Sequence, residues 1–159
     1  MKITVLCVGK IKEGYFRDAI SEYSKRLGRY CKLEICEVAD EKTPDGASRA
    51  LEDAILEKEA GRLLAKLPKD AYTIALAIEG KKLDSVSLAK KVEQLGVLGN
   101  SHLVFIIGGS LGLHASILRG ADFLLSFSDM TFPHQLMRVI LLEQIYRGFR
   151  ITAGEPYHK

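Results

Sequence analysis

The chain has 159 residues, of which 47% are apolar and 27% are charged, and its formal net charge is +3. This composition is typical of a globular protein, and the length favours a single domain over residues 1–159. The longest largely apolar stretch, residues 71–78, is far shorter than the ~20 residues that span a bilayer. An integral membrane protein is therefore excluded, and no membrane partner is expected.

Short apolar runs alternate five times with longer helical patterns. The predicted strands are residues 3–8, 33–38, 72–78, 103–107 and 123–127. The predicted helices are residues 13–26, 48–66, 85–95, 114–119 and 133–150. Because the strand runs are nearly continuously apolar, as in strands covered on both faces, the pattern predicts an α/β domain with a mostly parallel sheet flanked by helices.

Single residues mark some of the helix ends. Ser48 is a predicted N-cap, and Gly28 and Gly96 are predicted C-terminal stops. Pro133 fits the first position of the last helix, where its missing N–H costs nothing.

Charge is distributed unevenly along the chain. Residues 1–32 carry eight basic side chains and three acidic ones, whereas residues 34–59 carry nine acidic side chains and three basic ones. The split indicates one basic face and one acidic face. The basic face either meets a phosphate backbone or is an ordinary solvated helix surface, and charge alone leaves both interpretations open.

Two loops are candidate ligand sites, because open α/β sheets bind ligands beyond the carboxyl ends of their strands. The glycine-rich turn 108–112 (GGSLG) lets a ligand approach bare backbone. Residues 126–134 (SFSDMTFPH) mix hydroxyls, an acid and an imidazole with aromatic walls, which suits a purine-containing ligand. The spacing matches neither a dinucleotide fingerprint nor a phosphate-binding loop.

The last helix and the tail are unusual. Residues 133–150 carry apolar side chains at nearly every angle around the helix, which favours an oligomer interface over a deeply buried core helix. The tail ends in Tyr157, His158 and Lys159, which supply a phenol, an imidazole and an ammonium. It is either a disordered terminus or a flap that handles protons or phosphate.

The cysteines and the possible metal ligands favour a simple interpretation. Cys7, Cys31 and Cys36 are odd in number and are interpreted as free thiols in a reducing cytoplasm. No set of His, Cys, Asp and Glu has metal-ligand spacing, so no metal is expected.

Five segments, taken together, point to one family. They are MKI leading to Val8-Gly9-Lys10, GGSxGL from residue 108, LSFSxMTFPHQ from 125, RVxLxEQIYR from 138, and GEPYHK from 154. The chain thereby resembles the ribosomal RNA large subunit methyltransferase H family, which are small SPOUT (α/β-knot) methyltransferases. The likeness covers the whole chain. Leu111 departs from it by standing where a polar residue is expected, but the backbone of that turn should matter more.

The resemblance implies a homodimer whose C-terminal part is threaded as a trefoil knot, and the helix 133–150 is the expected dimer interface. It implies S-adenosylmethionine (SAM) as the methyl donor. It also implies methylation of N3 of a pseudouridine in the helix 69 loop of 23S rRNA, within the assembled ribosome.

Site residues follow from the resemblance by position. Leu76 would form an apolar wall beside the adenine, and Gly108 would let the cofactor approach the backbone. The wrapping loop would supply donors to the adenine and ribose, through Phe127, Ser128, Asp129, Met130, Thr131 and Phe132. The expected RNA contacts are Lys10, Arg138 and Lys159.

The reaction needs a group that removes the N3 proton or stabilises the negative charge of the ring. His158 is the candidate base and Tyr157 the candidate donor to a carbonyl oxygen. His134 is a second candidate base, although its place at the start of a buried helix favours a structural role. A non-catalytic ribosome-binding factor is the main alternative. A nucleotide-binding oxidoreductase is disfavoured by the missing fingerprint.

Overall fold

Strands and helices alternate from the first residue onward in a computed structural model that describes residues 1–159. The strands are β1 (Lys2–Val8), β2 (Lys32–Val38), β3 (Tyr72–Lys82), β4 (His102–Ile107) and β5 (Phe123–Ser126). The helices are α1 (Gly14–Leu27), α2 (Arg49–Lys66), α3 (Ser85–Val97), α4 (Ala115–Gly120) and α5 (His134–Thr152). All ten predicted elements are present.

The five strands form one sheet in the order β2-β1-β4-β3-β5, and every neighbouring pair is parallel. The predicted α/β class with a parallel sheet is confirmed. Side chains of β1 alternate between two cores: Ile3 and Val5 join a cluster with α1, α3 and α5, whereas Leu6 and Val8 join a cluster with α2 and α4. Both faces of the sheet are therefore covered, which explains the nearly continuous apolar runs.

The helix ends agree with the sequence signals in most places. The Ser48 hydroxyl accepts a hydrogen bond from the Leu51 amide, as an N-cap does, and Gly28 is the C-cap of α1. The prediction for Gly96 was wrong, because α3 continues to Val97 and the reversal occurs at Gly99, where φ is 92°. Pro133 is the N-cap, one residue before its predicted position.

Strand β3 is longer than predicted. Leu76 and Lys81 both pair with Leu125, so the intervening residues form a bulge along β5. Gly80 allows this close approach, since a Cβ there would lie 2.7 Å from the Leu124 carbonyl carbon and oxygen. Residues 79–82 (EGKK) lack apolar side chains, so the sequence pattern did not indicate that the strand continues through them.

Helix α5 lies against the sheet and packs on both α1 and α3. Leu141, Leu142 and Ile145 are buried in the larger core, and Gly148 lets Ala89 come within 3.5 Å of the position of a Cβ. No residue from 134 to 151 is exposed. Much of the all-round apolar character is therefore used inside the chain, as the core-helix alternative anticipated. The half-buried apolar residues of α5 that join neither core are Leu136, Met137, Val139, Ile140 and Ile151.

None of the helices has the length and apolar character that crossing a bilayer requires.

Because burial varies along α5, shortening its side chains to alanine should lower the free energy of unfolding by different amounts at different positions. Leu141→Ala should lower the free energy of unfolding by about 2–5 kcal/mol, because it empties a fully buried site. Ile140→Ala, one residue earlier and outside both cores, should cost less than half as much. Urea unfolding followed by circular dichroism measures both values. Equal losses would show that Ile140 is as well packed as its neighbour.

Candidate active site

The three segments assigned to a cofactor meet at the carboxyl edge of the sheet. Ala75 lies opposite Ile106, and Leu76 lies opposite Leu125. Leu76, Gly108 and Phe127 therefore stand at nearly the same level on three neighbouring strands. The chain leaves β4 toward α4 on one face and leaves β3 toward α3 on the other, so this edge has the crevice that typically receives ligands in open α/β sheets.

The glycine turn after β4 is held by its own backbone. The Gly112 amide donates to the Gly109 carbonyl at 3.1 Å, and Gly112 has a φ of 83°. A Cβ on Gly108 would lie 2.3 Å from the Gly112 carbonyl oxygen. The turn itself excludes a side chain at Gly108. A valine at position 108 would therefore disturb the turn itself as well as any ligand beside it.

The wrapping loop, residues 127–132, is shaped by short-range hydrogen bonds. Ser126 donates through its hydroxyl to the Ser128 carbonyl at 3.2 Å, and the Ser128 hydroxyl accepts from the Met130 amide at 3.0 Å. Several amides of the loop donate no hydrogen bond within the chain, namely those of Ser128, Asp129, Thr131 and Phe132. These free donors, beside half-buried Leu76 and Phe127, suit the polar edge and apolar face of a nucleoside.

An exposed ion pair closes the outer side of this loop. Lys82, at the end of β3, lies 2.5 Å from Asp129 in the wrapping loop. Sequence reasoning missed this contact because the two residues are 47 positions apart.

A cavity of about 570 Å³ at the start of α2 and a cleft of about 100 Å³ between α3 and α5 are lined by none of the predicted cofactor residues.

Arg138 and His134 lie beneath the loop that follows β1. Arg138 is only 2% exposed, and its guanidinium donates to Glu37 at 2.7 Å and to the Gly9 carbonyl at 3.2 Å. It is thus unavailable to an RNA phosphate in this structure. The His134 ring packs against Gly9, and burial, with a smaller contribution from Arg138, lowers the pKa of the imidazole below its usual value.

Glu59 is a buried carboxylate at the same edge that sequence reasoning also missed. It is 4% exposed and accepts a hydrogen bond from the Glu41 amide at 3.0 Å. Burial raises the pKa of its carboxyl, and both carboxylate oxygens lie within 3.6 Å of where a Cβ of Gly109 would stand. The available signal was its spacing of four residues from Ile55 and from Leu63, which places it on the core face of α2.

The tail is docked along α5. The Tyr157 phenol donates to Glu143 at 3.2 Å, and its ring meets the Tyr146 ring edge-on at 5.0 Å. Arg147 and His158 Nδ1 are 3.3 Å apart. Burial, followed by the Glu143 charge, raises the pKa of Tyr157, so the phenol is a proton donor at neutral pH. Lys159 is exposed.

The docked tail lies away from the wrapping loop. Glu143 is nine residues beyond His134, the first residue of α5, and a helix rises about 1.5 Å per residue. Tyr157 therefore binds α5 about 13 Å from the end of the loop. The structure brings Leu76, Gly108 and residues 127–132 together, and it keeps His158 and Tyr157 apart from them within one chain.

Comparison with known proteins is consistent with this geometry. Residues 1–158 match the family model described as predicted SPOUT methyltransferase. Proteins named ribosomal RNA large subunit methyltransferase H are 67% identical in Bifidobacterium adolescentis and 60% identical in Clostridium beijerinckii, each over 100% of both chains. A solved probable methylase family protein from Haemophilus influenzae Rd KW20 aligns with a TM-score of 0.57 at 12% identity, over 99% of this chain and 70% of that one, which indicates similarity of fold alone.

The glycine turn yields a paired stability prediction. Gly108→Ala should lower the free energy of unfolding by at least about 1–3 kcal/mol, because its Cβ overlaps the Gly112 backbone. Gly61→Ala is the control: it lies within α2 with nothing near its Cβ, so it should raise stability by about 0.5–1 kcal/mol. Urea unfolding compares them. A neutral Gly108→Ala would contradict the close packing of the turn.

The lowered pKa of His134 predicts acid sensitivity. Its usual value is 6.5, and a His whose folded pKa is lower takes up a proton more readily when unfolded. The stability it supports is therefore lost as the pH falls below about 6.5 toward the folded pKa. His134→Gln should flatten the fall in unfolding free energy between about pH 7 and pH 5. His102→Gln is measured in parallel, because burial also lowers the pKa of His102. An unchanged slope in His134→Gln would contradict the assignment.

Proposed function

The chain belongs to the SPOUT methyltransferase family, and we propose that it methylates N3 of a pseudouridine in the helix 69 loop of 23S rRNA, on the assembled ribosome, with SAM as the methyl donor. The observation that carries this proposal is the convergence of Leu76, Gly108 and the wrapping loop at one sheet edge. The names of the relatives, which are 60% and 67% identical over the full chain, support rRNA as the substrate.

The chain's own groups fit such a cofactor. Leu76 and Phe127 would enclose the adenine. The free amides within residues 127–132 would bind the polar edge of the adenine and the ribose. The backbone of the turn at Gly108, which carries no side chain, would contact the remainder of the cofactor. Bound SAM would supply a methyl group on a positively charged sulfur. Because that methyl is already electrophilic, the protein's task is to align it with N3 and to manage the N3 proton.

The tail supplies the groups for proton transfer in this proposal. In the docked tail the Arg147 guanidinium faces His158 Nδ1, so that nitrogen accepts from Arg147. Release from Arg147 would free Nδ1 to take the N3 proton. The protonated Tyr157 phenol would donate to a ring carbonyl oxygen and stabilise the charge that develops there. Lys10 and Lys159 are exposed cations for the RNA backbone, whereas Arg138 is assigned a structural role.

A homodimer would reconcile the docked tail with the distant loop. We propose that the chain pairs with a second copy through residues 133–150, where the first turns of α5 present half-buried apolar side chains that join neither core. The tail of one copy would then serve the loop of the other. Undocking of the tail within one chain is the alternative arrangement.

Deleting residues 157–159 tests the reaction. SAM affinity by calorimetry should be unchanged, and transfer of labelled methyl to bacterial ribosomes should be lost. His158→Ala alone should slow transfer by about 10²–10⁴-fold at neutral pH, with partial recovery at higher pH. Lys69→Ala, an exposed lysine between α2 and β3, is the control. If the truncated protein methylates ribosomes at the normal rate, the tail does not supply the base, and His134 becomes the candidate base. An intact protein that binds ribosomes without methylating them would support the non-catalytic alternative.

The dimer has its own test. Ile140→Glu should yield a monomer by sedimentation, because it places a charge in the apolar contact. Leu141→Glu is unsuitable, since that site is buried within the chain. The truncated protein is then mixed with Thr131→Pro, which lacks one loop amide. Recovered activity requires that one copy's tail serves the other copy's loop. No recovery despite exchange of subunits would favour undocking within one chain.

A further inference from the structure

The loop that follows β1 and the first turn of α1 carry several side chains that the proposed function above does not use. Tyr15 is 68% exposed and is the only exposed tyrosine of the six. Its ring contacts the Phe16 ring with 4.6 Å between centroids, and neither ring joins a core cluster. The other tyrosines are at least half-buried, and several of them form the aromatic cluster beside α5. Packing within the chain therefore does not explain why position 15 carries an aromatic side chain.

Three cations surround this ring in the sequence. Lys10, Lys12 and Arg17 are exposed, and none of them forms an ion pair or a side-chain hydrogen bond. Six other arginines of the protein are paired with carboxylates, namely Arg26, Arg29, Arg62, Arg138, Arg147 and Arg150. Asp18 is the only exposed acid between residues 9 and 18. The patch formed by Lys10, Lys12, Tyr15 and Arg17 is therefore basic around an aromatic centre, and we call it the β1–α1 patch.

The patch begins beside the proposed cofactor site. Val8, the last residue of β1, lies 3.1 Å from the position of a Cβ on Gly109 in the glycine turn. Gly9 packs against the ring of His134, which follows the wrapping loop. The chain thus enters the patch between the two loops proposed to hold the cofactor, and Lys10, the first residue of the patch, follows Gly9 directly.

We propose that Tyr15 is a stacking platform for an unpaired base of the RNA substrate, and that Lys10, Lys12 and Arg17 bind the phosphates on either side of that base. The inference rests on the proposed function, which supplies a single-stranded loop as substrate. Loop bases expose faces that stack on aromatic side chains, while cations beside the ring neutralise the backbone. Tyr15 is then a substrate-binding residue that leaves the methyl transfer step unchanged.

The charges favour RNA over a second copy of the chain as the occupant. A two-fold contact through this patch would bring the three cations of one copy against those of the other. Nucleic acid instead offers both a flat aromatic surface and closely spaced negative charge.

The main test is the Michaelis constant for ribosomes at saturating SAM. Tyr15→Ala should raise it by about 5- to 100-fold, as expected when one base loses its stacking partner, with kcat and SAM affinity nearly unchanged. Tyr15→Phe should stay within about twofold, because it keeps the ring. Tyr15→Leu should resemble Tyr15→Ala. Lys10→Gln and Lys12→Gln should each reduce the slope of log KM against log salt by about 0.7, and Lys69→Gln should leave it unchanged.

The absence of tryptophan allows a direct reporter. Tyr15→Trp should remain active, and oligouridylate should quench its fluorescence by stacking on the indole. Leu64→Trp, at an exposed position on α2, is the control and should not be quenched.

The outcomes separate this inference from the proposed function. Wild-type protein that does not methylate ribosomes overturns the proposed function, whereas quenching of the indole at position 15 by RNA would still support the platform. Wild-type activity together with an unchanged KM in Tyr15→Ala overturns the platform alone. Conversion of Tyr15→Ala to a monomer would assign the patch to a second copy and overturn it as well.

Discussion

Backbone packed directly against backbone is the constraint on which the site depends. At the carboxyl edge of the sheet, Gly108 lies against Gly112, and Gly80 lies against the Leu124 backbone. In both places even a methyl group would overlap main-chain atoms, which cannot move aside as a flexible side chain can. The tight turn after β4 and the bulge of β3 along β5 follow from these two approaches. Both approaches lie at the sheet edge that is proposed to hold the cofactor.

A buried charge fixes the entry of α5 into this edge. Arg138 is held by Glu37 at the end of β2 and by the carbonyl of Gly9 after β1, so one side chain joins α5 to two strands. Burial of such a pair adds little net stability, but loss of one partner leaves an uncompensated charge. The pair therefore serves to define where α5 begins, and with it the end of the wrapping loop. Beyond that point, α5 is stabilised by apolar packing on α1 and α3.

Features encoded within a few residues could be predicted from the sequence. The strand runs, the Ser48 cap and the loops at the strand ends depend on local patterns, and the register of a parallel sheet then brings Leu76, Gly108 and Phe127 together. Contacts between distant residues could not be predicted in this way. The burial of Arg138 depends on Glu37, 101 positions away. The docking of the tail depends on Tyr30, whose hydroxyl donates to Glu155 over 125 positions, and on Tyr146 of α5. The apolar residues on all sides of α5 indicated that this helix is buried, but they did not indicate which elements cover it.

The strand order has a consequence for synthesis. Strand β1 lies between β2 and β4, and Lys2 pairs with His102, so the first strand made waits for a partner that is translated a hundred residues later. Helices α1 and α3 cover part of the sheet face that carries Ile3 and Val5, but its covering is complete only when α5, the last helix, has left the exit tunnel. Such non-local pairing is slow, and the open apolar face is prone to aggregate in the interval.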